Sequence, residues 1–185
     1  MRLFDHLRGR AKTAGPQEAA EELYAYSRLD LNAEILPEGV ARCRPSINAN
    51  YKFTKTAITL QWLQKMERLP SGAANAGAVI EEFEKLTFGG FEPDTASSLV
   101  EHLRKIMEIT NLIDVFMSNQ TIPKEKIDRA GLQIAQRWFE IALDDPDLVV
   151  RATVTHGGEI IYAIHQEMKN IGEMVVASVL GGGRS

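Results

Sequence analysis

The chain has 185 residues, of which 44% are hydrophobic and 25% are charged, and its formal net charge is −4. This length and apolar content suffice for one substantial core, so we expect a single domain over residues 1–180 and a disordered tail over residues 181–185. No apolar stretch reaches the roughly 18 to 20 residues of a transmembrane helix, and the N-terminus lacks the apolar segment of a secretory signal.

Positive charge is concentrated at the N-terminus. Residues 1–12 hold four basic residues against Asp5, which leaves 17 basic and 24 acidic residues in the remainder. An acidic body argues against general nucleic-acid binding, because such binding depends on neutralising phosphates. Cys43 is the single cysteine, which excludes an intramolecular disulfide and fits a reducing compartment. We therefore predict a cytoplasmic protein.

Helical periodicity dominates the first half of the chain. A short amphipathic helix is predicted over residues 2–12, where Phe4 and Leu7 share a face and Gly15-Pro16 ends the pattern. Further helices are expected at about residues 17–29, 54–69 and 75–86. Residues 30–52 between them show no helical pattern, so we predict one long irregular loop, with residues 1–50 as a peripheral arm or wrap. Alternation of apolar and polar residues over 47–53 admits one short strand.

The second half predicts three longer helices, at about residues 95–119, 123–143 and 146–180. Their broad apolar faces place them at the centre of the domain. Two features leave alternatives open in the last of them. Gly157-Gly158 could break it, and the β-branched run over residues 148–155 could form a strand. The fold class that follows is an all-α bundle of six to eight helices.

Two histidines in the last helix, His156 and His165, are candidate metal ligands. They are nine residues apart, which places them on opposite flanks of a straight helix, and no Glu-x-x-His repeat accompanies them. The close pairs are His156 with Glu159 and Tyr162 with His165, each three residues apart. We interpret the stretch as the flanks of a core helix, and we predict no metal site.

The irregular segment offers the best small-ligand site of the sequence. It concentrates hydrogen-bond donors that could hold a phosphate or a carboxylate. The residues assigned to this anion site are Arg42, Arg44, Tyr51 and Lys52. The competing interpretation is that they satisfy the backbone of the loop and pair with the acidic body.

Two pairs of apolar residues are predicted as interface anchors. Phe88 and Phe91 flank Gly89-Gly90, where they either plug the core or, if exposed, anchor a partner. Phe4 and Leu7 lie among the basic residues of segment 1–12. A basic amphipathic helix can also contact a membrane surface, but so few large apolar residues bind weakly.

Searches for nucleotide-binding, hydrolase and calcium-loop motifs find none, so no cofactor is predicted and catalysis is not favoured. The sequence predicts a non-catalytic interaction or assembly protein that self-associates and binds another protein. One alternative is a bundle that binds a small anionic or apolar ligand. A second is a metal-dependent enzyme, which would need carboxylates from other helices to converge on a histidine.

Overall fold

The computed structural model describes residues 15–31, 43–70, 73–118 and 128–181. Six helices make up most of these ranges: α1 (Pro16–Ser27), α2 (Arg44–Glu67), α3 (Ala73–Phe88), α4 (Pro93–Ser118), α5 (Arg129–Ala142) and α6 (Pro146–Gly181). No strand occurs in the ranges described. The all-α class predicted from periodicity is therefore confirmed.

Helix α2 lies at the centre of the bundle and contacts all five of the other helices described. Every side chain from Thr54 to Leu60 is buried, so this part of the helix has no solvent face. Three threonines in this run donate their hydroxyls to backbone carbonyls one turn earlier, at 2.8 to 3.1 Å. Hydrogen bonds of this kind satisfy polar groups in an interior without help from other helices.

The start of α2 differs from the prediction. The helix begins at Arg44 rather than near residue 54, so the strand considered over residues 47–53 is wrong. Pro45 in the first turn favours this start. Its ring fixes a helical φ, and the N–H that proline lacks would have no intrahelical partner at this position. Ile47, Asn50 and Tyr51 share the buried side at the three- and four-residue spacing of a helix.

The predicted centre was also wrong in part. Helix α6 contacts all the other described helices, as expected of a central helix, but so does α2, which the predicted centre did not include, whereas α4 packs mainly on α2, α5 and α6. Helical periodicity predicts that Val100, Leu103 and Ile106 share the buried face of α4; Leu103 and Ile106 are buried, but Val100 is 52% exposed. Helix α5 begins at Arg129, after an N-cap at Asp128. The start predicted near residues 121–123 lies outside the described residues.

Helix α6 runs through Gly157 and Gly158 without a break, so both the interruption and the strand considered for this region are wrong. Its close approach to α2 depends on a different glycine. A Cβ at Gly172 would lie 2.6 Å from Cζ2 of Trp62, and Nε1 of Trp62 donates to the carbonyl of Met168 at 3.0 Å. The indole of α2 therefore packs directly against the backbone of α6.

A closed set of hydrogen bonds joins α5 to α2 around Trp138, which is fully buried. Nε1 of Trp138 donates to Oγ1 of Thr54 at 2.9 Å, and Thr54 in turn donates to the carbonyl of Asn50 at 2.8 Å. Nδ2 of Asn50 donates back to the carbonyl of Trp138 at 3.3 Å. The hydrogen bonds among these three residues fix the position of α2 along α5.

Candidate functional site

Four residues from three helices form a polar cluster where α1, α2 and α6 meet. Glu167 of α6 accepts hydrogen bonds from the hydroxyl of Tyr26 at 2.7 Å and from the hydroxyl of Tyr51 at 3.0 Å, one on each carboxylate oxygen. Nζ of Lys55 donates to the main-chain carbonyl of Tyr26 at 2.9 Å. We call Tyr26, Tyr51, Lys55 and Glu167 the tyrosine–lysine cluster.

Lys55 is the most deeply buried member, with only 1% of its surface exposed. Its ammonium nitrogen lies 5.0 Å from the ring centroid of Tyr26 and 5.5 Å from that of Tyr51, within the range of cation–π attraction. The carbonyl that it contacts belongs to the last turn of α1, where the helix dipole favours a cation. Aromatic faces and a helix end thus take the place of water around the charge.

The cluster shifts the pKa values of its members in opposite directions. Burial lowers the pKa of Lys55 to about 8; the charge of Lys52 acts in the same direction, and the charges of Glu167 and Asp30 oppose it. Burial and the neighbouring carboxylate of Glu167 raise the pKa values of Tyr26 and Tyr51. Both phenols therefore remain protonated over a wide pH range and can go on donating to Glu167.

The described structure gives the residues predicted to bind an anion different surroundings. Arg44 is exposed at the first position of α2, and Arg42 lies outside the described residues. Tyr51 belongs to the buried cluster, whereas Nζ of Lys52 pairs with Asp30 at 2.7 Å near the surface. Since Tyr51 and Lys52 are consecutive in a helix, their side chains point in different directions.

Two members of the cluster were missed by reasoning from the sequence. Lys55 is not singled out in the sequence interpretation, and the stretch that contains Glu167 is interpreted as the flanks of a core helix. A signal for Lys55 was present, because Tyr51, Ile58 and Thr59 lie one turn away from it and leave little polar surface for its charge. No comparable signal marks Glu167, which is 116 residues from Tyr51 in sequence.

The turn between α3 and α4 separates the two aromatic residues predicted as anchors. Phe88 is half-buried and packs against the core, whereas Phe91 is 52% exposed. A Cβ at Gly89 would lie 2.2 Å from the carbonyl oxygen of Lys85, so this turn requires glycine to keep its shape. The other two predicted anchors, Phe4 and Leu7, lie outside the described residues.

The histidine stretch of α6 forms the local pair expected from its spacing. Nδ1 of His156 lies 3.0 Å from a carboxylate oxygen of Glu159. Burial lowers the pKa of His165, and Lys169 adds to this effect. Among the side chains that the structure describes, no group of three or more histidines, cysteines or carboxylates is placed to hold a metal ion.

Comparisons of the chain with protein-family models, with curated proteins and with solved structures gave no match. Across the described ranges, no helix combines the length and the apolar character required to cross a membrane.

Proposed function

We propose that the protein is a non-catalytic assembly protein that pairs with a second copy of itself through the turn between α3 and α4. The observation that carries this proposal is the exposure of Phe91, at 52% of its surface, beside a phenylalanine that is packed into the core. An exposed aromatic residue is the kind of group that anchors an interface.

The hydrogen bonds of the tyrosine–lysine cluster support a structural role for its polar groups. Both oxygens of Glu167 accept phenol hydroxyls from within the bundle, and the ammonium of Lys55 is buried. A catalytic acid, base or nucleophile must reach its substrate within hydrogen-bond distance. The polar groups of the tyrosine–lysine cluster bond to one another, and this favours a role in binding and assembly over catalysis.

The surroundings of Phe91 favour a particular kind of partner. Leu86 lies five residues earlier in sequence at the same end of α3 and is 39% exposed. Three exposed carboxylates belong to the same stretch, those of Glu84, Glu92 and Asp94. Because charge complementarity selects partners and speeds their encounter, the surface fits a segment that is apolar on one face and basic around it.

The sequence predicts such a segment within the chain itself. Residues 1–12 include Phe4 and Leu7, together with four basic residues and one acidic residue. We infer that segment 1–12 of one copy binds the Phe91 turn of a second copy. In a dimer with twofold symmetry this contact forms twice, because each copy supplies both surfaces.

Sedimentation velocity across a range of concentrations tests the proposal with two variants, one at each of the proposed contact surfaces. Phe91→Ser removes the anchor, and deletion of residues 1–12 removes the segment that binds it; each is expected to give a monomer. Val154→Ser is the matched control, since Val154 is 74% exposed and belongs to α6 rather than to the turn. This control is expected to dimerise like the unchanged protein.

Mixing the two monomeric variants sharpens the test. A heterodimer of the deletion variant with Phe91→Ser keeps one intact contact of the two, so the mixture is expected to associate, although more weakly than the unchanged protein. An unchanged protein that stays monomeric at all concentrations would overturn the proposal. A mixture that fails to associate would overturn the assigned contact even if the unchanged protein dimerises.

A further inference from the structure

Helix α1 packs mainly on α3. Its buried residues are Ala19, Ala20, Leu23 and Ser27, and the ring of Tyr24 packs edge-on against that of Phe83, with 6.3 Å between the ring centroids. No side chain caps its N-terminus, and a helix of about 12 residues is marginal on its own. Contacts with the bundle must therefore decide whether α1 stays in place.

Several of these contacts are polar and lie at the C-terminal end of α1. Tyr26 donates to Glu167 of α6, and its carbonyl accepts from Lys55 of α2. Just beyond the helix, Asp30 pairs with Lys52. The same end of α1 thus covers a lysine that is 1% exposed.

We propose that α1 is a strap that opens reversibly from the bundle, and that the buried ammonium of Lys55 is the group that favours its opening. Closing the strap removes water from this charge, and the aromatic faces and one carbonyl replace only part of the lost hydration. Opening the strap returns the ammonium to water. Burial of the Lys55 charge therefore opposes the closed position of the strap.

The pH dependence follows from the groups around Lys55. Those that act on it are Tyr26 and Asp30 from the α1 side, Tyr51 and Lys52 from α2, and Glu167 from α6. The pKa of Lys55 is about 8 with the strap closed, whereas its ordinary value is 10.5. Between these values opening takes up a proton, so the closed form gains stability as the pH rises.

Hydrogen exchange of backbone amides in the full chain tests this inference. Protection factors of α1, corrected for the intrinsic effect of pH on exchange, are compared with those of α5 from pH 7 to pH 9.5. We expect α1 to be less protected than α5 and to gain protection above pH 8, by at most about tenfold per pH unit for a single proton. Protection of α5 should not follow this pattern.

Lys55→Met keeps the length of the side chain and removes its charge. This variant is expected to show higher α1 protection at pH 7 and no gain with pH. Lys85→Met is the matched control, since Lys85 is an exposed lysine whose ammonium lies 3.0 and 2.8 Å from two glutamates of α3. It should leave the protection of α1 unchanged.

A second variant, which retains Lys55, tests the inference even if Lys55→Met does not fold. Tyr26→Phe removes the hydrogen bond to Glu167, so α1 should lose protection yet still gain it with rising pH. Three results would overturn the inference: equal protection of α1 and α5, α1 protection that is flat with pH in the unchanged protein, or lower α1 protection in Lys55→Met. None of them depends on whether the protein forms dimers.

Discussion

Replacing Gly172 by alanine is expected to destabilise the protein, although alanine normally favours a helix over glycine by about 1 kcal/mol. The new Cβ would lie 2.6 and 2.7 Å from two atoms of the Trp62 indole. The ring cannot move aside freely, because its Nε1 is bonded to the carbonyl of Met168. Overpacking of this kind costs about 1–3 kcal/mol, so the net loss should be about 0–2 kcal/mol.

Gly77 provides the matched control within a helix. A Cβ there meets only Oε1 of Glu67, at an ordinary contact distance of 3.5 Å, so Gly77→Ala should gain the helix preference of about 1 kcal/mol. The two variants should therefore differ by about 1–3 kcal/mol in the free energy of unfolding. For a chain of this length, each kcal/mol shifts Tm by about 2–4 °C.

Thermal unfolding followed by circular dichroism measures this difference. In a Trp62→Leu background the clash is absent, and Gly172→Ala should then stabilise the protein as Gly77→Ala does. Equal rises in Tm for both alanine variants in the unchanged background would refute the tight contact between α2 and α6.

Three further predictions concern stability. Trp138→Phe should cost about 2 kcal/mol through lost volume and a lost hydrogen bond, and in urea titrations it should combine less than additively with Thr54→Val; full additivity would contradict the shared bond. Asp128→Ala should cost about 0.5–2 kcal/mol by removing the α5 N-cap, whereas Asp128→Ser should retain most of that stability, and equal losses would refute capping. The raised pKa values of Tyr26 and Tyr51 stabilise the fold below their ordinary pKa of 10.0, so the free energy of unfolding should fall above that pH by up to about 1.4 kcal/mol per unit for each tyrosine. Tyr51→Phe should reduce this slope, and an unchanged slope would count against the assignment.

The fold class could be predicted because most helices bury one face and expose the other. Helix α4 shows the usual three- and four-residue spacing, with Leu103 and Ile106 buried. The start of α2 could not be placed in this way, since a helix that is surrounded on all sides loses the contrast between its faces. The exposure of Val100 was equally hidden, because periodicity does not reveal how far along a helix its neighbours extend.

The candidate sites likewise include some features that the sequence could predict and others that it could not. Their sequence positions indicated that Phe88 and Phe91 lie at a turn, but the end of α3 decides which one faces the solvent. For the tyrosine–lysine cluster the obstacle is distance along the chain. Tyr26 and Glu167 are 141 residues apart, and local spacing carries no information about such a contact. The burial of Lys55 depends on that long-range contact as well as on its own helix.

The central position of α2 has a consequence for how the chain folds. Its buried run from Thr54 to Leu60 is complete only when helices from both halves of the chain surround it. No contiguous fragment that omits either half contains all the helices in contact with α2. The elements other than the α1 strap should therefore form in one cooperative transition, without a stable partly folded intermediate.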